Sequence, residues 1–307
     1  MSESEEMTAA STRSIIALMP ELFRSPRPVF DGNSPLITAG SMFTLNDIFM
    51  LPVIAGLHPR WGANSRVMMY GAVGGYSLLK RVAETSPPDY YKMLWTPCSE
   101  TVMWIASCLS SDSIDDLLRL VEMTRFGNVR VDHLRQHTLA TLGDVVALIR
   151  NRSLTSDMAA ASVGSKPVSI SRDRPVREAI RKMLSHNVRR LMLDGRPREF
   201  VSDRSVVRFM FRSDRLFLAR DAPQRWIDAK VSDLQAQKAG RLSQGGTIYD
   251  ACKVMGSQPD DCLVTDDGRV VSRWDLVMKP WKAGRLKLPD GGPRSSGRSA
   301  RSRKGSP

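Results

Sequence analysis

The chain has 307 residues, of which 42% are hydrophobic and 25% are charged, and its net charge is +13. These values are ordinary for a soluble globular protein of about two domains. No stretch reaches the roughly 18 consecutive apolar residues of a membrane helix. Four scattered cysteines without a Cys-x-x-Cys pair argue against zinc and for reduced thiols. The acidic start lacks a signal-peptide pattern, so we expect a cytoplasmic protein without a membrane partner.

The first 28 residues, 1–28, are predicted to be a polar leader. Their one apolar patch, residues 15–19, either forms a short docking helix or has no structural role. A first structural repeat is predicted from about residue 30 to 85, with a strand at Leu36-Ile37 and a closing strand and helix within residues 67–80. This copy departs most from the pattern seen later in the chain.

A second repeat, from about residue 98 to 152, shows the pattern more clearly. Residues 103–105 predict a strand, and Ser111 or Ser113 is placed to cap a helix with one apolar face. A hairpin follows, and a closing helix begins after Thr141.

The third and fourth repeats, at about 158–212 and 228–282, repeat this order of strand, helix, strand, strand and helix. In the third, Asp173 is predicted to cap the first helix, and Asp194-Gly195 to turn between the strands. The fourth has Thr247 as the predicted cap and a turn at residues 266–268. The copies recur at intervals of about 60 to 70 residues, and units this small need partners to bury their faces.

The C-terminal end carries much of the positive charge. From Lys282 onward there are eight Lys or Arg residues and one acidic residue, Asp290, in a Gly-, Ser- and Pro-rich segment. Such a composition does not bury enough apolar surface to fold. We therefore expect residues 283–307 to form a disordered basic tail.

The repeats resemble cystathionine-beta-synthase (CBS) domains. The third carries the resemblance at Pro167-Val168, Glu178-Ala179, Met183 and 188–191, and the fourth carries it at 268–277. The resemblance implies an α+β fold of β-α-β-β-α repeats paired into two modules, residues 29–152 and 153–282. It also implies a regulatory protein that binds an adenosine-containing ligand (AMP, ADP, ATP or S-adenosylmethionine) between repeats, forms a homodimer and signals to a regulated protein.

The family's nucleotide signature is a Thr or Ser followed three positions later by Asp, where the last strand meets the last helix. Thr141/Asp144 and Ser272/Asp275 match the signature. An ionised carboxylate only accepts hydrogen bonds and so suits both ribose hydroxyls. The carboxylates could equally act only as helix caps favoured by the helix dipole.

The other two repeats depart from the signature. Ser202 has Ser205 in place of Asp, and Gly74 with Ser77 replaces the pair in the first repeat. We therefore expect at most one good site per module. Arg273 is a candidate phosphate contact or a solvated side chain.

Catalysis and metal binding are not expected. We find no nucleophile and base set, P-loop or G-x-G-x-x-G turn, and hence no catalytic residue or tightly bound cofactor. His133 and His137 flank the hairpin of the second repeat rather than lie on one helix, so a metal role is not predicted.

Two other functions remain open. The basic tail could bind nucleic acid weakly and nonspecifically, with the repeats as a scaffold. Alternatively, the clefts between repeats bind nothing and the protein is a structural scaffold.

Overall fold

The computed structural model of the protein describes residues 14–24, 67–68, 71–72, 75–94, 106–125, 127–134, 136–210, 212–243, 245–256 and 262–288. The helices in these ranges are α1 (Ile15–Leu18), α2 (Glu21–Arg24), α3 (Gly75–Glu84), α4 (Tyr90–Leu94), α5 (Ile114–Thr124), α6 (Leu142–Arg150), α7 (Ala160–Val163), α8 (Val176–Ser185), α9 (Asp203–Met210), α10 (Ser213–Asp221), α11 (Pro223–Ile227), α12 (Ile248–Gly256) and α13 (Arg273–Lys282). The strands are β1 (Val67–Met68), β2 (Gly71–Ala72), β3 (Ser107–Leu109), β4 (Asn128–His133), β5 (Gln136–Thr141), β6 (Ser169–Ile170), β7 (Arg190–Leu193), β8 (Arg196–Ser202), β9 (Gln237–Lys238), β10 (Gly240–Leu242), β11 (Cys262–Thr265) and β12 (Val270–Ser272). None of these helices has the length and hydropathy needed to cross a membrane.

Repeats two, three and four share one topology. Their element orders are β3-α5-β4-β5-α6, β6-α8-β7-β8-α9 and β10-α12-β11-β12-α13. In each sheet the first strand pairs in parallel with the second, and the second pairs antiparallel with the third. The predicted α+β fold of β-α-β-β-α repeats is therefore confirmed.

Parts of the prediction lie outside the described residues. Repeat one is described only as β1, β2 and α3, with α4 after it, and its predicted strand at residues 36–37 lies outside the described residues. The strand predicted at residues 103–105 also lies outside the described ranges. The first described strand of repeat two is β3, which follows it directly.

Helices from different repeats share two hydrophobic cores. In one core, α5 and α6 of repeat two pack with α12 and α13 of repeat four; we call it the 2–4 core. In the other, α3 and α4 of repeat one pack with α8 and α9 of repeat three; we call it the 1–3 core. Each repeat thus buries its helices against a repeat that is not adjacent in sequence.

The sheets of repeats three and four also meet. Their contact is a small cluster of side chains that are at most 7% exposed: Met192, Phe200, Ala239, Cys262 and Val264. The contact of one sheet with another is what the predicted pairing of repeats three and four requires. The division into modules 29–152 and 153–282 remains a prediction.

Repeats three and four exchange their leading segments. The segment before repeat three pairs with the start of α12, where the Ala160 amide donates to the Gly246 carbonyl at 2.9 Å. In the opposite direction, the Val176 amide at the start of α8 donates to the Ala229 carbonyl at 2.7 Å. The start of each first helix therefore forms a backbone hydrogen bond with the leading segment of the other repeat.

This exchange explains why the predicted Asp173 cap is wrong. The residue before α8 is Pro175, and no side chain caps the helix. The Val176 amide, which a capping side chain would otherwise help to satisfy, already has a partner in Ala229. Asp173 instead accepts a hydrogen bond from the Ser171 side chain, which lowers the pKa of its carboxyl.

The described part of the leader packs as a folded element. Residues 14–24 form α1 and α2, and the Ile15 amide donates to the Asp112 carbonyl at 2.9 Å beside the start of α5. Ile15, Met19 and Leu22 are buried in the 2–4 core. The leading segment of repeat three makes an equivalent contact with the start of α12 in repeat four. Residues 14–24 therefore belong to the repeat structure.

Two other segments thought to be peripheral contribute to the fold. In the connector between repeats three and four, Trp226 is fully buried, donates to the Met210 carbonyl at 2.8 Å and lies edge-on to Tyr90. At the other end of repeat four, Lys287 and Thr155 exchange backbone hydrogen bonds of 2.7 and 2.9 Å. The predicted tail at 283–307 therefore starts too early, because residues up to Leu288 pack on the 2–4 core.

Replacing Ile15 by Ala tests the role of the leader. Because Ile15 is fully buried, we expect the substitution to lower the free energy of unfolding by about 2 to 4 kcal/mol. Urea unfolding measures this change. Ala17→Ser, on the exposed side of α1, is the control and should be neutral. A neutral Ile15→Ala would show that the leader does not contribute to the core.

Candidate functional site

The signature residues occupy the same place in three repeats. Thr141 ends β5 before α6, Ser202 ends β8 before α9, and Ser272 ends β12 before α13. At this junction the side chains stand beside the first amides of a helix, which have no partner within the helix itself. The sequence predicted these positions correctly for the described repeats. Gly74 lies outside the described residues.

In repeat two, Thr141 and Asp144 form a capping box. The Thr141 amide and hydroxyl both donate to Asp144 Oδ2, at 2.7 and 2.8 Å, and the Gly143 amide donates to Thr141 Oγ1 at 3.1 Å. Thr141, Gly143 and Asp144 are all half-buried. The pair therefore caps α6 and also borders solvent.

In repeat four, Ser272 and Asp275 form the same box with tighter enclosure. The Ser272 amide and hydroxyl donate to Asp275 Oδ2 at 2.9 and 2.6 Å. The Asp275 side chain is 11% exposed, and its Oδ1 lies 2.8 Å from Lys279 Nζ. Both carboxylate oxygens thus have partners within the protein.

In repeat three, hydroxyl groups replace the carboxylate. The Ser202 amide donates to Ser205 Oγ at 2.7 Å, and Ser202 Oγ donates to Gln237 Oε1 at 2.8 Å. Ser202 and Ser205 are both buried. The departure from the signature therefore removes the charged acceptor at this position but keeps the cap.

The same boxes cap helices that are not at the signature junction. Ser113 with Asp116 caps α5, and Thr247 with Asp250 caps α12, as the sequence predicted. The hydroxyl hydrogen bond of each pair lowers the pKa of the carboxyl. A Thr or Ser followed by Asp is thus a general way of starting helices in this chain, and the motif alone does not define a ligand site.

Arg273 brings the two signature sites together across the 2–4 core. A Cβ atom placed on Gly143 would lie 2.6 Å from Arg273 Nη1 and 3.2 Å from Thr141 Oγ1. The guanidinium of repeat four therefore packs on the first turn of α6 in repeat two, where glycine leaves room for it. Arg273 is half-buried at an interface. This contact could not be predicted from the sequence, because it depends on the pairing of repeats.

The described residues offer no reactive thiol or metal cluster. Cys108, Cys252 and Cys262 are buried and reduced, and burial raises the pKa of both Cys108 and Cys252 to about 12. Such thiols stay protonated at neutral pH. His133 Nδ1 lies 2.7 Å from Ser110 Oγ, and no group of three metal-ligating side chains occurs in the described ranges.

Comparison with known proteins identifies the class. Residues 160–212 match the family model of the CBS domain, and this match coincides with the predicted third repeat. Residues 160–212 are therefore a CBS domain, and repeats two and four have the same element order as the matched segment. A search of curated proteins finds no match.

One solved structure supports the fold, and two others are similar over part of the chain. Protein MJ1225 from Methanocaldococcus jannaschii, described as a candidate archaeal homologue of g-AMPK, aligns with 78% of this chain and 94% of its own at 11% identity and a TM-score of 0.62. At this identity the likeness shows the fold alone. A conserved protein from Pyrococcus horikoshii covers 71% of this chain and 92% of its own at 14% identity, with a TM-score of 0.44. CBSX2 from Arabidopsis thaliana, solved with AMP, covers 41% of this chain and 98% of its own at 14% identity, with a TM-score of 0.31. These two scores are too low to carry an argument.

The capping carboxylates predict a pH dependence of stability. Because the folded pKa of Asp250 is depressed, its contribution is present above its unfolded pKa of about 3.9 and is lost as pH falls through the folded pKa. We expect Asp250→Asn to lower the free energy of unfolding at neutral pH. The difference in this free energy between the variant and wild type should become smaller below about pH 4. Urea unfolding across this range measures it. Asp194→Asn, in the exposed turn after β7, is the control, and a difference that does not vary with pH would contradict the assignment.

Proposed function

We propose that the protein is a non-catalytic regulator that binds an adenosine-containing ligand at the junction of repeats two and four. The proposal is supported by the contact of Arg273 with Gly143, which shows that Thr141/Asp144 and Ser272/Asp275 lie at one interface. The carboxylates would accept hydrogen bonds from ribose hydroxyls. The phosphate would lie near Arg273 and the starts of α6 and α13. Ser202 would line the weaker site in repeat three.

The class of ligand rests on family resemblance together with this chemistry. A site with carboxylates that accept hydrogen bonds from hydroxyls, two helix starts and a guanidinium suits a phosphorylated nucleoside such as AMP, ADP or ATP. S-adenosylmethionine shares the ribose but lacks the phosphate. Ligand binding would act by favouring one arrangement of the repeats, which a regulated protein or a second copy of the chain would recognise.

Thermal unfolding with AMP, ADP, ATP and S-adenosylmethionine tests ligand binding. A ligand at about 100 times its dissociation constant should add about 2.7 kcal/mol to the stability. Asp144→Ala should reduce the stabilisation by ligand. Asp116→Ala is a matched control, because Asp116 makes the same cap on α5 away from the signature junction. If none of the four ligands shifts the transition, the proposed function is wrong.

Binding of nucleic acid by the basic tail is the second candidate, supported by the excess of basic residues after Lys282. Because residues up to Leu288 pack on the 2–4 core, removal of residues 289–307 is the cleaner test. We expect the truncated chain to lose retention of duplex DNA at low salt while keeping its unfolding transition. Unchanged retention would exclude the tail as the binding element.

A further inference from the structure

Lys279 pairs with the Asp275 carboxylate, the hydrogen-bond acceptor that a ligand would need in repeat four. Its ammonium lies 2.8 Å from Asp275 Oδ1, 2.5 Å from the Val163 carbonyl and 3.0 Å from Ser165 Oγ. A lysine ammonium has three N–H donors, and these contacts use all three. We call this set of contacts the Lys279 latch.

The latch and a ribose compete for the same carboxylate. Asp275 Oδ2 already accepts two hydrogen bonds from Ser272, so Oδ1 is the atom left for a ligand hydroxyl. The Lys279 ammonium takes that atom, and the enclosed side chain leaves little room for both partners. A diol can bind Asp275 only when Lys279 has moved away.

The latch also holds one wall of the site. Ser165 exchanges backbone hydrogen bonds of 2.8 and 2.9 Å with Val270 of β12, so residues 163–165 lie along the edge of the repeat-four sheet. A Cβ atom on Gly164 would lie 2.9 Å from the Arg269 side chain, which shows how closely this segment approaches the sheet. Lys279 joins the segment to α13, beside Asp275.

In repeat two, the position that corresponds to Lys279 holds an apolar residue. The residue four positions after Asp144 is Leu148, which is buried in the 2–4 core and carries no charge. The two signature sites therefore differ in the residue one turn beyond the carboxylate, although their capping boxes match.

We propose that Lys279 controls ligand access to the repeat-four site. This inference rests on the proposed function. A nucleotide that binds Asp275 must displace the ammonium and so releases residues 163–165, which lead into repeat three. Occupancy of the repeat-four site is thereby coupled to the junction of repeats three and four.

Calorimetric titration of the full chain with AMP tests the latch. Lys279→Met keeps the length of the side chain and removes the ammonium, so we expect AMP to bind the repeat-four site about fivefold or more tightly than in wild type, within the usual range of coupling between sites. The gain should be absent when Asp275→Ala is added. Lys282→Met, which removes a neighbouring ammonium that pairs with Glu122, is the control and should leave AMP affinity unchanged.

The outcomes separate the latch from the proposed function. If wild type binds AMP through Asp144 and Lys279→Met binds it no more tightly, the latch is overturned and the proposed function stands. If neither protein binds AMP, ADP, ATP or S-adenosylmethionine, both are overturned. Should Lys279→Met fail to fold, hydrogen exchange on wild type replaces it: AMP should speed exchange of the Ser165 amide, and unchanged exchange at saturating AMP would overturn the latch.

Discussion

A three-stranded sheet with two helices cannot bury the apolar faces of its own helices, and the rest of the structure depends on this constraint. In repeats two and four, these faces are buried because α6 packs against α12 and α13. The helices of repeats one and three bury their apolar faces against each other in the same way. The remaining sheet faces of repeats three and four then cover each other. Each repeat thus has a helix-side partner, and repeats three and four are also partners through their sheets.

This arrangement explains why the candidate site residues meet where they do. Packing of α6 against α13 brings the starts of both helices, with their capping boxes, to one interface. Gly143 then admits Arg273 because it has no side chain. The pair of sites is a consequence of how the helices bury their apolar faces, and the polar residues take positions that the core has already set.

The sequence predicted local features well where the chain itself decides them. The caps at Ser113 and Thr247 depend on residues three positions apart, and Gly195 and Gly268 adopt the positive φ angles of 70° and 79° expected of the predicted turns. The candidate residues Thr141 and Ser272 were placed correctly for the same reason.

Features decided by distant partners could not be predicted. Ala229 replaces the Asp173 cap from the other repeat, and Arg273 reaches Gly143 across the 2–4 core. Lys279 has one feature that the sequence shows and another that it does not. Its position four residues after Asp275 is visible in the sequence, but its contacts with Val163 and Ser165 require the folded leading segment.

The 2–4 core also constrains how the chain folds as it is made. It joins Ile15, near the start of the chain, to Met278, near its end. Repeat two is synthesised before repeat three, and the helices that cover its apolar face emerge from the ribosome only after repeat three. Contacts so distant in sequence close slowly, and exposed apolar surface favours aggregation while the chain waits. Synthesis of this protein therefore leaves a long interval in which the helices of repeat two are not yet covered by those of repeat four.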